Sequence, residues 1–208
     1  HLMSMFRTLA IAAAALLLAA CQTTSIKSAW YDTNYKGGML RKVVVVASDG
    51  TTADSRVFED IMVQKLTAAG VQAIPGYSTV PPDARQGEGP FSAAISATGA
   101  DGVLMIRLLR VDTKTQVSTM MVPGAGWGPY GGFYGGFYGG PGFYPVTDVS
   151  QYDVATVETN LYDARTRRLI WAGTTETINP SNVAKEAPGF ADLLVTQFRA
   201  RGLVPAGK

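Results

Sequence analysis

The sequence predicts an α/β fold with α+β character at its C-terminal end: a mixed sheet of five to six strands, two to three helices packed on it, and a long Thr-rich hairpin. Three observations carry this. KVVVVA (42–47) is a β-branched run suited to a strand covered on both faces. The segment after it has apolar residues at helical spacing. Two later segments, TDVSQYDVATVETNLYD and RRLIWAGTTETI, are long, rich in Thr and β-branched residues, and joined by a turn.

In chain order, residues 26–31 read as a first strand and 42–47 as a central one. In TTADSRVFEDIMVQKLTAAG, Val57, Phe58, Ile61, Met62, Leu66 and Ala69 recur at steps of three and four, with Thr52 or Asp54 as N-cap and Gly70 just past the end. That pattern is an amphipathic helix. Residues 71–74 give a short strand, Pro81 and Pro82 a loop, 91–98 an Ala-rich helix stopped by Gly99, and 101–111 (DGVLMIRLLRV) another apolar strand. Strand, helix, strand, helix, strand favours parallel pairing through crossovers. The hairpin follows, turning at Arg165 and Thr166, and a last helix shows Phe190, Leu193, Leu194 and Phe198 on one face before Gly202.

The N-terminus reads as a leader. MFRTLAIAAAALLLAACQTT sets Arg7 before a short apolar run and small residues before a Cys, the pattern of a secretory signal peptide. Residues 9–20 fall short of the about 20 needed to span a bilayer. Leu18, Ala19, Ala20 and Cys21 resemble the lipobox of bacterial lipoproteins. That resemblance implies that residues 1–20 are removed and that the Cys21 thiol carries a diacylglycerol, with palmitate among its acyl groups. Gln22 in place of Asp then implies the outer membrane, facing the periplasm. Residues 1–4 read as a cloning remnant. Residues 21–25 form a short linker, and 26–204 a single α/β domain with a Gly- and aromatic-rich loop at 123–147.

Composition narrows the chemistry. The chain has 18 basic and 16 acidic residues; removing the leader takes Arg7 and no acid, leaving a net charge of +1. Nucleic acid is not an expected partner, because the densest basic cluster, Arg165, Arg167 and Arg168, sits in a turn and not along a stripe. The only His is His1 and the only Cys is Cys21. A processed chain therefore lacks imidazole and free thiol, which removes His triads, Cys nucleophiles and His/Cys metal sites. No cofactor or metal is expected, and no disulfide can form.

AWYDTNY, KVVVV, VFEDIMVQKLTAAGV, ADGVLMIRL and VETNLYDARTRRLIWAGTTE together resemble small bacterial outer-membrane lipoproteins of unassigned function, which combine a lipobox, a compact α/β domain and a Gly/Tyr-rich insertion. The resemblance implies location and fold. It supplies no catalytic motif.

One carboxylate pair merits weighing as a hydrolase site. A three-residue turn would set Glu158 and Glu176 on one face of the final hairpin as diagonal neighbours, roughly 7–8 Å apart. A two- or four-residue turn would send them to opposite faces. The Thr residues around them, 156, 159, 174, 175 and 177, read as a solvated surface. GGFYGGFYGGPGFY offers no phosphate-binding side chain, so it is no P-loop. No charge occurs from Thr115 to Thr147, and Trp127, Tyr130, Phe133, Tyr134, Phe137, Tyr138, Phe143 and Tyr144 stand among Gly pairs. Such a loop is expected to be an exposed contact surface for an envelope protein, a glycan or the lipid interface, or else a spacer. The expectation is a non-enzymatic binding or scaffolding module, held to the membrane by an N-terminal lipid.

Overall fold

The computed structural model describes residues 24–47, 52–84, 87–123 and 143–206. Six strands, β1 (Thr24–Tyr31), β2 (Lys42–Ala47), β3 (Gln72–Pro75), β4 (Gly102–Pro123), β5 (Phe143–Asp163) and β6 (Leu169–Ile178), form one mixed sheet in the order β1-β6-β5-β4-β2-β3. The described helices are α1 (Ala53–Ala68), the single turn α2 (Gly76–Thr79), α3 (Glu88–Thr98) and α4 (Val183–Ala200). β2 pairs in parallel with both β3 and β4, whereas β6 pairs antiparallel with β5 and with β1. The expected α/β fold with its antiparallel end is what forms.

Two compact units divide the chain. The first comprises residues up to Val111 together with those from Val154 onward; the second is Asp112–Asp153.

In the first unit the valine run is explained by burial on both faces. Val43 and Val45 join a core with Met62, Leu66, Leu104, Leu161, Trp171, Leu194 and Phe198, which draws on α1 and α4. Val44 and Val46 turn the other way, onto Val80, Ile95 and Val103. Strict alternation along an internal strand with helices on both sides leaves no position for a polar residue.

The helix ends follow local chemistry. Thr52 is extended and its hydroxyl accepts from the Ser55 N–H, capping α1. Gly70, at φ +90°, lets Val71 N–H close back onto the Leu66 carbonyl at 3.0 Å. Gly99, at φ +67°, ends α3 in the same region of backbone space. α4 starts at Val183. Asn182 caps it by accepting from the Lys185 N–H at 2.9 Å, and Pro188 lies inside the helix.

Asp101, expected within a strand, instead stands just before β4. Its carboxylate accepts from the Arg41 and Lys42 N–H groups at 2.9 Å, tying the starts of β2 and β4 together. Beneath α4, the Trp171 ring meets Phe198 edge-on, centroids 5.1 Å apart. It also lies over Gly173, where an added Cβ would come within 2.3 Å of the ring.

The second unit consists of the later part of β4 and the early part of β5. Thr113 donates to Asp153 at 2.7 Å, and the Thr119 and Thr147 hydroxyls lie 3.5 Å apart. Val117, Met120 and Val149 are exposed. The strands run further into the Gly-rich segment than expected, since β4 reaches Pro123 and β5 begins at Phe143.

Candidate functional site

A cleft of about 530 Å³ lies in the first unit, where the end of β2 meets the first turns of α1 and α4. Its apolar wall includes Phe58, Ile106, Leu108, Val157 and Phe190. Phe58 and Phe190 come from α1 and α4 and meet edge-on with centroids 5.2 Å apart, which binds the two helices at the cleft base. Ala47 is the last residue of β2. The cleft therefore opens at the carboxyl end of a parallel strand, where open α/β sheets leave room for ligands.

The rim is polar and already satisfied. Thr52 and Asn182 cap α1 and α4. Asp54 and Glu186 occupy the first turns of those helices, where a carboxylate complements the dipole. Glu186 also accepts from the Ser181 hydroxyl at 3.1 Å. The helix N-termini thus hold carboxylates of their own, and the cleft is suited to an uncharged, apolar guest more than to an anion.

The hairpin register settles the geometry of the carboxylate pair. Glu158 faces Thr174 and Glu176 faces Thr156, so the two are diagonal neighbours on one face, the register expected for a three-residue turn. The turn itself is longer, because the Asp163 N–H bonds to the Arg168 carbonyl, and the irregularity between Leu161 and Tyr162 restores that register. Each meets a cation. Arg107 lies 2.6 Å from Glu158, and Lys27, at the β1 irregularity, lies 3.2 Å from Glu176. Each carboxylate is thus engaged in an ion pair with its own cation, and the two do not share a partner.

The threonines around the pair do not form the solvated surface that their composition suggests. Thr156, Thr159, Thr175 and Thr177 are all buried. By the pleat, Thr159, Thr175 and Thr177 share the face of Val157, Leu161 and Trp171, which enters the main core. Among the described residues the Thr156 and Thr159 hydroxyls find no hydrogen-bond partner. There Thr serves as a β-branched filler of near-Val shape.

A second polar cluster forms at the β5–β6 turn. Asp163 Oδ1 accepts from the Arg165 N–H at 3.0 Å and the Thr166 N–H at 2.8 Å, and Tyr35 donates its hydroxyl to Oδ2 at 3.4 Å. Burial alone would raise the Asp163 pKa. The Thr166 N–H and hydroxyl, the Arg165 N–H and the Arg165 guanidinium outweigh it and hold the carboxyl below its ordinary value. Tyr35 is pushed up, first by burial and then by the Asp163 charge. The basic residues of this turn are engaged with acids: Arg168 with Asp32 at 2.6 Å, Arg167 with Glu88 at 3.8 Å and Arg165 with Asp163 at 4.0 Å.

Sequence reading missed Glu59. It is fully buried, and accepts from the Ala47 N–H at 2.9 Å and the Tyr77 N–H at 2.8 Å. In the helical pattern Glu59 stands three residues before Met62 and seven before Leu66, in line with the other buried positions of α1, and that register is the signal that could have found it. β2 and α2 bring the two N–H groups that satisfy it there.

Cys21, Trp127, Tyr130, Phe133, Tyr134, Phe137 and Tyr138 lie outside the described residues, as do the side chains of Phe143 and Tyr144, whose backbone opens β5. Among the described residues no group of three His, Cys, Asp or Glu is placed to hold a metal. No helix among them is long and apolar enough to cross a membrane.

The profile of a domain of unknown function, DUF4136, matches residues 92–198, from α3 through most of α4. No curated protein matches the sequence. Among solved structures, a variant of the PelC dodecamer from Paraburkholderia phytofirmans is similar at 15% identity and a TM-score of 0.45, over 88% of this chain and 98% of that one. Lipoprotein GNA1162 from Neisseria meningitidis is similar at 12% identity and a TM-score of 0.41, over 77% of this chain and 99% of that one.

Proposed function

Because this chain belongs to the DUF4136 family, a domain whose function is unknown, we propose a role for it from its own residues: a non-enzymatic, lipid-anchored module that binds another component at the periplasmic face of the outer membrane. The lipobox-like Leu18–Cys21 supports the anchor. The observation that carries the binding role is the cleft between α1 and α4, whose wall is apolar and whose rim groups are engaged with one another. A volume of about 530 Å³ falls within the range of ligand sites, about 300–1,000 Å³. The ion-paired state of Glu158 and Glu176 favours binding over hydrolysis.

The eight aromatics from Trp127 to Tyr144 supply the second contact surface of this reading. Rings set among Gly pairs, with no charge nearby, suit an envelope protein, a glycan or the lipid interface. The anchor is tested first. Cys21→Ser is expected to abolish metabolic lipid labelling and outer-membrane fractionation while the domain stays folded. A parent protein that never takes the label, with a mutant still in the membrane fraction, refutes it. For the loop, replacing the eight aromatics with Ser should remove binding to the envelope. If the parent ring set binds protein-free vesicles, lipid is the partner; if it ignores them and retains envelope binding, the partner is protein or glycan.

A further inference from the structure

We propose that the cleft between α1 and α4 is the docking site for one acyl chain of the lipid carried by Cys21 of the same molecule. This deepens the binding role and rests on the lipid-anchor reading above.

Proximity is the first argument. Thr24, the first described residue, is the register partner of Thr177, and their hydroxyls are 2.8 Å apart. Thr177 itself lines the cleft. Only Gln22 and Thr23 lie between Cys21 and Thr24, and the three residue steps reach about 10 Å when extended. The lipid attachment point is therefore confined to the neighbourhood of this cleft by its own chain, at a high effective concentration.

Chemistry is the second argument. The wall offers Phe58, Ile106, Val157 and Phe190, while Leu108, also in the wall, is 55% exposed. A half-exposed Leu beside an apolar cavity gains from an apolar guest, as does every methylene withdrawn from water. The guest's charge is also constrained. Asp54 and Glu186 hold the helix N-termini, so a free fatty acid would bring its carboxylate against two others. An ester- or amide-linked chain, of the kind borne by an acylated Cys, carries no such charge.

Docking in this way gives the protein two states: the chain in the bilayer, or the chain in the cleft with the domain drawn close over its anchor. A partner that fills the cleft competes with the anchor chain for it.

The test uses the full chain in its own cells, grown with a photoactivatable diazirine fatty acid that enters the Cys21 lipid. After irradiation of the envelope, tryptic mapping should find intramolecular cross-links from the Cys21 lipid to peptides that contain Phe58, Leu108 or Phe190. Leu108→Asp, at a half-exposed position the fold tolerates, should lower that yield roughly tenfold, since it sets a charge against the chain. Protein that carries the label but cross-links only to bilayer lipid overturns the proposal, and so does a yield unchanged by Leu108→Asp. Protein that takes no label at all refutes the anchor reading instead.

Discussion

Replacing Asp163 tests whether the β5–β6 turn is held by a buried charge. Its side chain is 4% exposed and accepts two backbone N–H bonds, from Arg165 and Thr166. A hydrogen bond to a charged group contributes about 1.5–3 kcal/mol, and the low end applies where the donors are part-buried. Asp163→Ala should therefore cost about 3 kcal/mol, or a fall in Tm of about 6–12 °C for a chain of this size. Asp163→Asn keeps an oxygen for both N–H groups and loses the charge and the long Tyr35 contact to Oδ2, so about 1 kcal/mol is expected. The pH dependence separates charge from shape. The folded carboxyl titrates below its ordinary 3.8, so its contribution is complete well above that value and is lost as pH falls through the lowered one. Urea unfolding of parent and Asp163→Asn between about pH 6 and about pH 3 should show the gap between them closing on acidification. A gap that stays constant, or an Ala variant as stable as the parent, refutes the reasoning.

Other changes probe the core and the two carboxylates of the hairpin. Gly173→Ala drives a methyl into the Trp171 ring, 2.3 Å from the new Cβ, and should cost about 1–3 kcal/mol by denaturant unfolding; an unchanged midpoint would mean that the ring sits elsewhere. Glu59→Leu leaves the Ala47 and Tyr77 N–H groups without their acceptor and should cost at least about 2 kcal/mol, more than any exposed substitution on α1. Glu158→Gln with Glu176→Gln should leave a cellular phenotype intact, and its loss in a folded double variant would revive a carboxylate-dependent hydrolase.

The parts of the fold legible in the sequence were those written in short-range pattern. Lys42–Ala47 shows its double burial as an unbroken β-branched run, and α1 shows its cap, its stripe and its terminal Gly70 within twenty residues. The threonines of the hairpin misled because Thr is polar by composition and β-branched by shape, and a strand beneath α4 selects the shape. Of the candidate sites, the facing of Glu158 and Glu176 depended on the length of a turn and on the irregularity between Leu161 and Tyr162, which no local pattern announces. The cleft was not legible at all. Its wall joins β2, α1, β4, β5 and α4, and no local pattern places those segments together.

The two edges of the described sheet bear on how such a module meets a partner. β3 is one edge, only four residues long and ended by Pro75, which has no N–H to donate. β1 is the other, and its pairing with β6 is broken between Ile26 and Ser28, where Lys27 turns to Glu176. A short edge, a bulge and an inserted Lys are devices that discourage strand addition. Recognition by extending the sheet is thus disfavoured on both sides. Specificity must then come from side chains, which directs attention to the apolar cleft and the aromatic segment. If Cys21 bears the lipid, β1 begins about 10 Å from the bilayer anchor, so the edge nearest the membrane is the one blunted by Lys27. A charge there also keeps that strand from lying flat in the acyl region, because a Lys drawn into hydrocarbon is costly.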